Sequence, residues 1–456
     1  MDKEKNPAFK KFTQGYTFKA LLLIVIVLLL LIPLGMIRGL VDERGRTAAS
    51  AESDIMEAWG KQLVAAGPIV SIPGIRTDEV RTKTEKEGEK IEIEKTPFTL
   101  IISPQKLDID AAFKTETRKR GIFSVPLFSG TLSLSGVFDP GMAVSELLSN
   151  EEIFLDQAEL IISLSSQKGI RKINASTWND EELFFKPGNR GYSLFNYGYS
   201  RSTSGIYASL PGFENNVAAF NISIGIQGGQ YIRLLPIGQD THADISADWS
   251  SPSFQGAYLP GESTIDDTGF SASWDVNYLS RDIPLFRKDY GREQDYADSL
   301  FGVDFFRAID TYALNTRAVK YAFLFLLVPF LTLFLLEVFT KKRIHPVPYL
   351  LSGIGNAVFY LLLLSLSEQL PFYTAYILAA LAVTILLTLY SRSLLPSWDK
   401  SWYMGLVVTI SYVLLYAVLN AESYALLIGS LGTFAVLALI MFLTRKLDWY
   451  RQELDH

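Results

Sequence analysis

Cysteine is absent from this 456-residue chain. That one absence excludes disulfides, thiolate metal sites and thiol nucleophiles, and it leaves the redox state of the compartment unmarked. A strong excess of one charge is also missing. The net charge of -6 is too mild to argue for a nucleic-acid partner, and none is expected. No glycine-rich phosphate loop, clean internal repeat or long low-complexity linker occurs. No cofactor is implied.

What is present is apolar sequence held apart from polar sequence. Hydrophobic residues make up 49% of the chain and the mean hydropathy is +0.20, high for a soluble protein. An uncharged run extends from Ala20 to Met36, and five more apolar stretches lie between Tyr321 and Leu443. A spanning helix needs about 20 apolar residues to cross a hydrocarbon core of about 30 Å. Six spans are expected: Phe18–Ile37, Tyr321–Phe339, Tyr349–Leu366, Phe372–Tyr390, Trp402–Leu419 and Tyr424–Leu443. The first has the basic flank of a secretory signal (Lys10, Lys11, Lys19), but its apolar run is long and no A-x-A type site follows. It reads as an uncleaved anchor.

Direction follows from Lys and Arg in the short joints. The N-terminal tail carries Lys3, Lys5, Lys10, Lys11 and Lys19. The joint after the second span carries Lys341, Lys342 and Arg343, the joint after the fourth Arg392 and Lys400, and the C-terminal tail Arg445, Lys446 and Arg451. The joints Ser367–Pro371 and Asn420–Ser423 carry no basic residue. Both termini are therefore expected in the cytoplasm and the large central segment on the outer face. The expected organisation is a cytoplasmic tail (1–17), an anchor helix (18–37), a periplasmic domain (38–320), a five-helix membrane bundle (321–443) and a second cytoplasmic tail (444–456).

The central segment reads mainly as strand. Ile91–Glu94, Thr131–Val137 and Ile222–Ile226 alternate with period 2, and Leu100–Ile102 and Leu160–Ile162 look like buried strands. Gly67-Pro68, Pro73-Gly74, Pro187-Gly188, Pro211-Gly212, Gly228-Gly229 and Pro260-Gly261 punctuate it. Many short strands in layered antiparallel, sandwich-like sheets are the expectation. Helix is expected over Thr47–Ala66, with Ile55, Met56, Trp59 and Leu63 on one side, and for a turn at Val144–Leu148. The charged stretch Lys83–Lys90 reads as a hairpin tip or loop. The aromatic- and glycine-rich stretch Leu183–Arg201 is a candidate boundary between two sheet modules.

Few residues invite chemistry. His242 is the one histidine of the central segment, and on a strand it would share a face with Asp240, Asp244 and Asp248. A solvated sheet face accounts for such charges equally well. Ser165-Ser166-Gln167-Lys168 matches S-x-x-K, as does Ser397-Trp398-Asp399-Lys400, but the companion K-T-G is missing. Asp266-Asp267-Thr268-Gly269 has the residues for a Ca²⁺-binding loop, but a turn is the preferred reading. Neither acidic residue of the spans falls at mid-membrane. Glu337 sits four residues before Lys341, fitting an interfacial ion pair, and Glu368 sits just past the third span. Gly353, Gly355, Asn356, Gly429 and Gly432 suit close helix packing.

Several motifs remain: Asn315-Thr316-Arg317-Ala318-Val319-Lys320-Tyr321, Glu337, Arg343-Ile344-His345-Pro346, Phe359 to Glu368, and Phe442-Leu443-Thr444-Arg445 with Asp448-Trp449-Tyr450. Trp249, Pro252-Ser253-Phe254-Gln255-Gly256, Gly269-Phe270 and Trp274 add to them in the central segment. Together they resemble the CreD family of bacterial inner-membrane, cell-envelope-integrity proteins. The resemblance implies an inner-membrane protein with a periplasmic domain. It also implies expression under the CreBC two-component system and a role in envelope homeostasis, tied to β-lactam response and colicin tolerance. It supplies no catalytic residues. Glu337, His345, Pro346, Glu368, Trp249 and Phe254 enter as motif positions without assigned roles. The expected function is non-enzymatic. The outer domain would bind an envelope protein, lipid or peptidoglycan-related ligand while the bundle sits in the lipid bilayer. The alternative is a transporter or lipid-handling protein built on the bundle.

Overall fold

The computed structural model describes residues 16–445 except 85–87, 193, 198–199, 202–203, 211–212, 214–215, 291–294, 306–310, 341–342, 395–397 and 422–424. Lys341, Lys342, Ser397, Pro211-Gly212, residues 1–15 and residues 446–456 thus lie outside the described residues. The chain divides into two compact units. One is Met1–Ala48 with Ile309–His456, and the other is Ala49–Ala308.

Helix α1 (Tyr16–Trp59) is continuous through the first expected span and most of the expected helix after it. It stops short of Ala66, because strand β1 (Leu63–Thr84) has already begun. The stop is local: the Gly60 and Lys61 amides both donate to the Met56 carbonyl, and Gly60 has a φ of 143°, which favours glycine. A Cβ there would also lie 2.8 Å from the Gln227 carbonyl oxygen.

Alternating burial builds the β unit. After β1 come β2 (Gly88–Ile102), β3 (Lys106–Arg120), β4 (Phe123–Phe138), β5 (Glu159–Leu164), β6 (Gly205–Ser209), β7 (Ala218–Gly229) and β8 (Tyr231–Leu234). These are followed by β9 (Asp240–Ala247), β10 (Pro252–Gly256), β11 (Glu262–Asp266), β12 (Gly269–Asn277), β13 (Phe286–Asp289) and β14 (Phe301–Phe305). One large sheet runs β6-β5-β1-β8-β14-β10, with β2 and β13 continuing from β1. The other runs β11-β12-β9-β3-β4-β7. β1 pairs with β2 out to Thr84 opposite Gly88, and residues 85–87 of the charged stretch lie outside the described residues.

Three expectations need correction. The sheets are mixed rather than antiparallel: β1 runs parallel to β8 and β9 parallel to β3. A period of 2 reports which face is buried and carries no information about the partner's direction. Several strands are long, because Gly67-Pro68 and Pro73-Gly74, both read as breakers, lie inside the 22-residue β1. Finally, Leu183–Arg201 separates no modules, since residues before and after it share one core. Phe128 of β4 lies 4.8 Å, ring centre to ring centre, from Phe305 of β14, and Trp274 of β12 lies 5.4 Å from Phe301. The two sheets face each other across these rings, a sandwich-like arrangement. The expected turn of helix near Val144 appears as a short helix over Gly141–Ser145.

The helical unit contains α1 to Ala48, α2 (Thr311–Thr340), α3 (Pro346–Ser367), α4 (Phe372–Leu394), α5 (Trp398–Asn420) and α6 (Ala425–Thr444). Among the described residues, α1 to α5 each hold a stretch long and apolar enough to cross a membrane. Where the sixth span is expected, α6 is an apolar helix of 20 residues with several side chains outside the described residues. Helices α2, α3, α4 and α5 close a ring in which each packs on two neighbours, while α6 packs on α5. Leu30 of α1 is buried against Gly353 of α3. A Cβ at Gly353 would also come 2.6 Å from the Phe330 ring, so glycine permits the close approach.

Candidate functional site

The motif residues of the β unit are packing residues. Phe254 lies edge-on to Phe270 and Trp274, with ring centres 5.9 and 5.7 Å away. Trp249 lies edge-on to Phe305 and donates its indole N–H to the Ser251 carbonyl.

Those of the helical unit gather at helix ends. His345 caps α3, its Nδ1 accepting the Val347 amide at 3.4 Å, and Pro346 follows where a missing N–H costs nothing. Glu337 is buried in the last turns of α2, and Tyr349 in the first turn of α3 donates its hydroxyl to the carboxylate at 2.8 Å. Lys341, its expected partner, lies outside the described residues. Glu368 takes a two-pronged ion pair from Arg44 of α1, at 2.8 and 2.9 Å, and the Tyr312 hydroxyl approaches at 3.4 Å. Beside it, Asn315 donates to Ser367 at 2.9 Å.

A second polar thread runs deeper between α2, α3, α4 and α5. Asn356 donates to the Phe325 carbonyl at 3.0 Å and accepts from the Tyr412 hydroxyl at 2.6 Å, and Tyr376 donates to the Tyr412 carbonyl at 2.6 Å. Sequence reasoning treated Asn356 as a packing residue and missed Arg44, Tyr412 and Tyr376. One signal was available for Arg44. It and Glu368 each follow the end of an expected span, the first and the third.

The chemical candidates disperse. His242 sits half-exposed on β9, with Nδ1 2.7 Å from Asp275 of β12 and Nε2 3.2 Å from Asp244. The Asp275 hydrogen bond, with the charges of both carboxylates, holds the imidazole above its ordinary value of 6.5 despite partial burial. Asp248 falls past the strand and accepts the Thr115 amide, so the four-residue cluster is not assembled. Ser165 donates to the Gln62 carbonyl and accepts the Val64 amide, whereas Lys168 donates to the Glu57 carbonyl. Asp266 closes a turn, accepting from Thr268 and Gly269.

Two surfaces stand out. In the β unit, β11 is an edge strand paired with β12 alone, and every residue of it is exposed. Leu259, 72% exposed, and Leu279, 79% exposed, flank one end of that ladder, tied together by the Tyr258 hydroxyl donating to the Ser280 carbonyl. A nearby hollow at Ser103–Gln105 and Asp139 measures only about 20 Å³, room for one water. In the helical unit an apolar groove of about 790 Å³ lies between α2, α5 and α6. It exists because α6 leans on α5 and leaves α2 uncovered.

The family model described as inner membrane protein CreD matches residues 15–450. The chain belongs to the CreD family. It is similar to the inner membrane protein CreD of Escherichia coli (strain K12), with 30% identity over 453 residues, covering 98% of this chain and 94% of that one. The resemblance carried by the motifs therefore holds along nearly the whole CreD chain. With five helices fit to span a bilayer, this CreD family member is a multi-pass inner-membrane protein.

Proposed function

We propose that the chain is a non-enzymatic envelope-integrity protein whose β unit captures an extended segment of an envelope protein along β11. Six spans, both termini in the cytoplasm and the β unit in the periplasm complete this reading. Its support is the Lys and Arg alternation across the short joints. The observation that carries the binding role is the exposed edge Glu262–Asp266. Such an edge offers unpaired ladder groups to an incoming strand, and Leu259 and Leu279 offer apolar contact beside it. A link to envelope stress and β-lactam response follows from the family reading alone.

Photo-crosslinking in intact cells tests the proposal. A crosslinker at Thr264 is expected to capture an envelope protein that one at the exposed Glu116 of β3 does not. Identical capture from both positions, or from neither, overturns the reading. The absence of native cysteine makes the placement equally testable. Thr264→Cys should react with an impermeant maleimide from the periplasmic side and Gln452→Cys should not.

A further inference from the structure

We infer that the groove between α2, α5 and α6 is a binding site for one phosphate-bearing membrane lipid, held by its acyl chain. Along α2 the groove is lined from Tyr321 to Thr340. That is about 28 Å at 1.5 Å per residue, close to the thickness of a hydrocarbon core. Its wall is apolar almost throughout, formed by residues such as Leu324, Leu331, Ile410 and Leu437.

The groove's volume of about 790 Å³ lies in the range of small-ligand cavities. The α6 wall is also open where it matters. Gly432 is closed off by Leu414, 3.1 Å from where its Cβ would be, but a Cβ at Gly429 would meet nothing within 4 Å. Gly429 therefore serves groove space and not helix packing.

Charge sets the headgroup. Lys320 is exposed on α2, one turn before the groove-lining Leu324 and on the same face. From that place its side chain can extend toward a lipid phosphate at the end of the groove. A long cationic side chain at a span end reaches the interface readily.

The full chain, reconstituted with phosphatidylglycerol and phosphatidylethanolamine and then released into mild detergent, tests this by native mass spectrometry. The parent should retain phospholipid, and Gly429→Trp should bind it about tenfold more weakly. Leu381→Trp, exposed on α4 outside the groove, should match the parent. Lys320→Gln should lower retention of the phospholipids but not of diacylglycerol. Should the tryptophan variant misfold, Gly429→Cys gives a unique thiol. A fatty-chain maleimide should label it after folding, and added phospholipid should slow the labelling. Equal retention by Gly429→Trp, equal loss in Leu381→Trp, or labelling indifferent to lipid overturns the proposal. So would disulfide dimers of Gly429→Cys in membranes, which would give the groove to a second copy of the chain.

Discussion

Glu151 holds a charge where almost no solvent reaches it. Its side chain is 1% exposed and pairs with Lys288 at 2.5 Å. Burial alone would raise this carboxyl. The Leu148 amide, the Lys288 ammonium and the Tyr290 hydroxyl reverse that and hold it below its ordinary value of 4.5. Glu151→Gln should therefore destabilise the β unit by about 2 kcal/mol, since it leaves a partly buried ammonium without its anion. Chemical denaturation of the full chain in detergent would measure this. The wild-type contribution is complete above pH 4.5 and is lost as pH falls through the lower folded value. In Glu151→Gln that acid-side loss should shrink. His242 has the opposite sign. Its raised value means that its contribution is complete below pH 6.5 and fades as pH rises through the folded value. Its exposure keeps the effect small. With three histidines in the chain, its imidazole NMR signal can be assigned, and it should titrate above 6.5. In Asp275→Asn the midpoint should fall.

At the scale of elements, helix ends and close approaches carry the architecture. The Arg44–Glu368 pair joins α1 to the end of α3 across 324 positions of sequence. Arg44 is 40% exposed, so solvent screens the pair and its contribution is small. Glu368→Ala should lower the melting temperature of the full chain slightly, and the exchange Arg44→Glu with Glu368→Arg should restore much of the loss. Gly353→Leu should do far more. Leu30 and Phe330 leave no room at that position, so α1 and α3 must separate, at a cost of about 1–3 kcal/mol or more. A Cys pair across α1 and α3, oxidised in membranes, would report that separation as lost crosslinking. In the β unit, Trp274→Ala should cost about 3–5 kcal/mol, because that ring is fully buried between the sheets.

For the molecule as a whole, legibility follows the range of the interactions involved. Apolar runs such as Ala20–Met36 and alternation such as Ile222–Ile226 are local, and each appears as the element expected of it. The placement of basic residues is local too, and the proposed direction of the spans rests on it alone. The motifs around Asn315, His345 and Glu368 sufficed to point to the CreD family. Partnerships between distant segments left no such trace. Nothing in β9 or β3 announces that they run parallel, because alternation reads burial and not direction. Glu337 looks interfacial from its place in the sequence, yet Tyr349 and the packing of α2 on α3 bury it. Gly429 looks like a packing glycine, and only the lean of α6 on α5 turns it toward an open groove. Hydrophobicity and period, which the amino acids carry one by one, determined where helices and strands form. The choice of neighbours, and with it every buried polar contact and the groove itself, was decided by tertiary packing, because those energies depend on which surfaces meet.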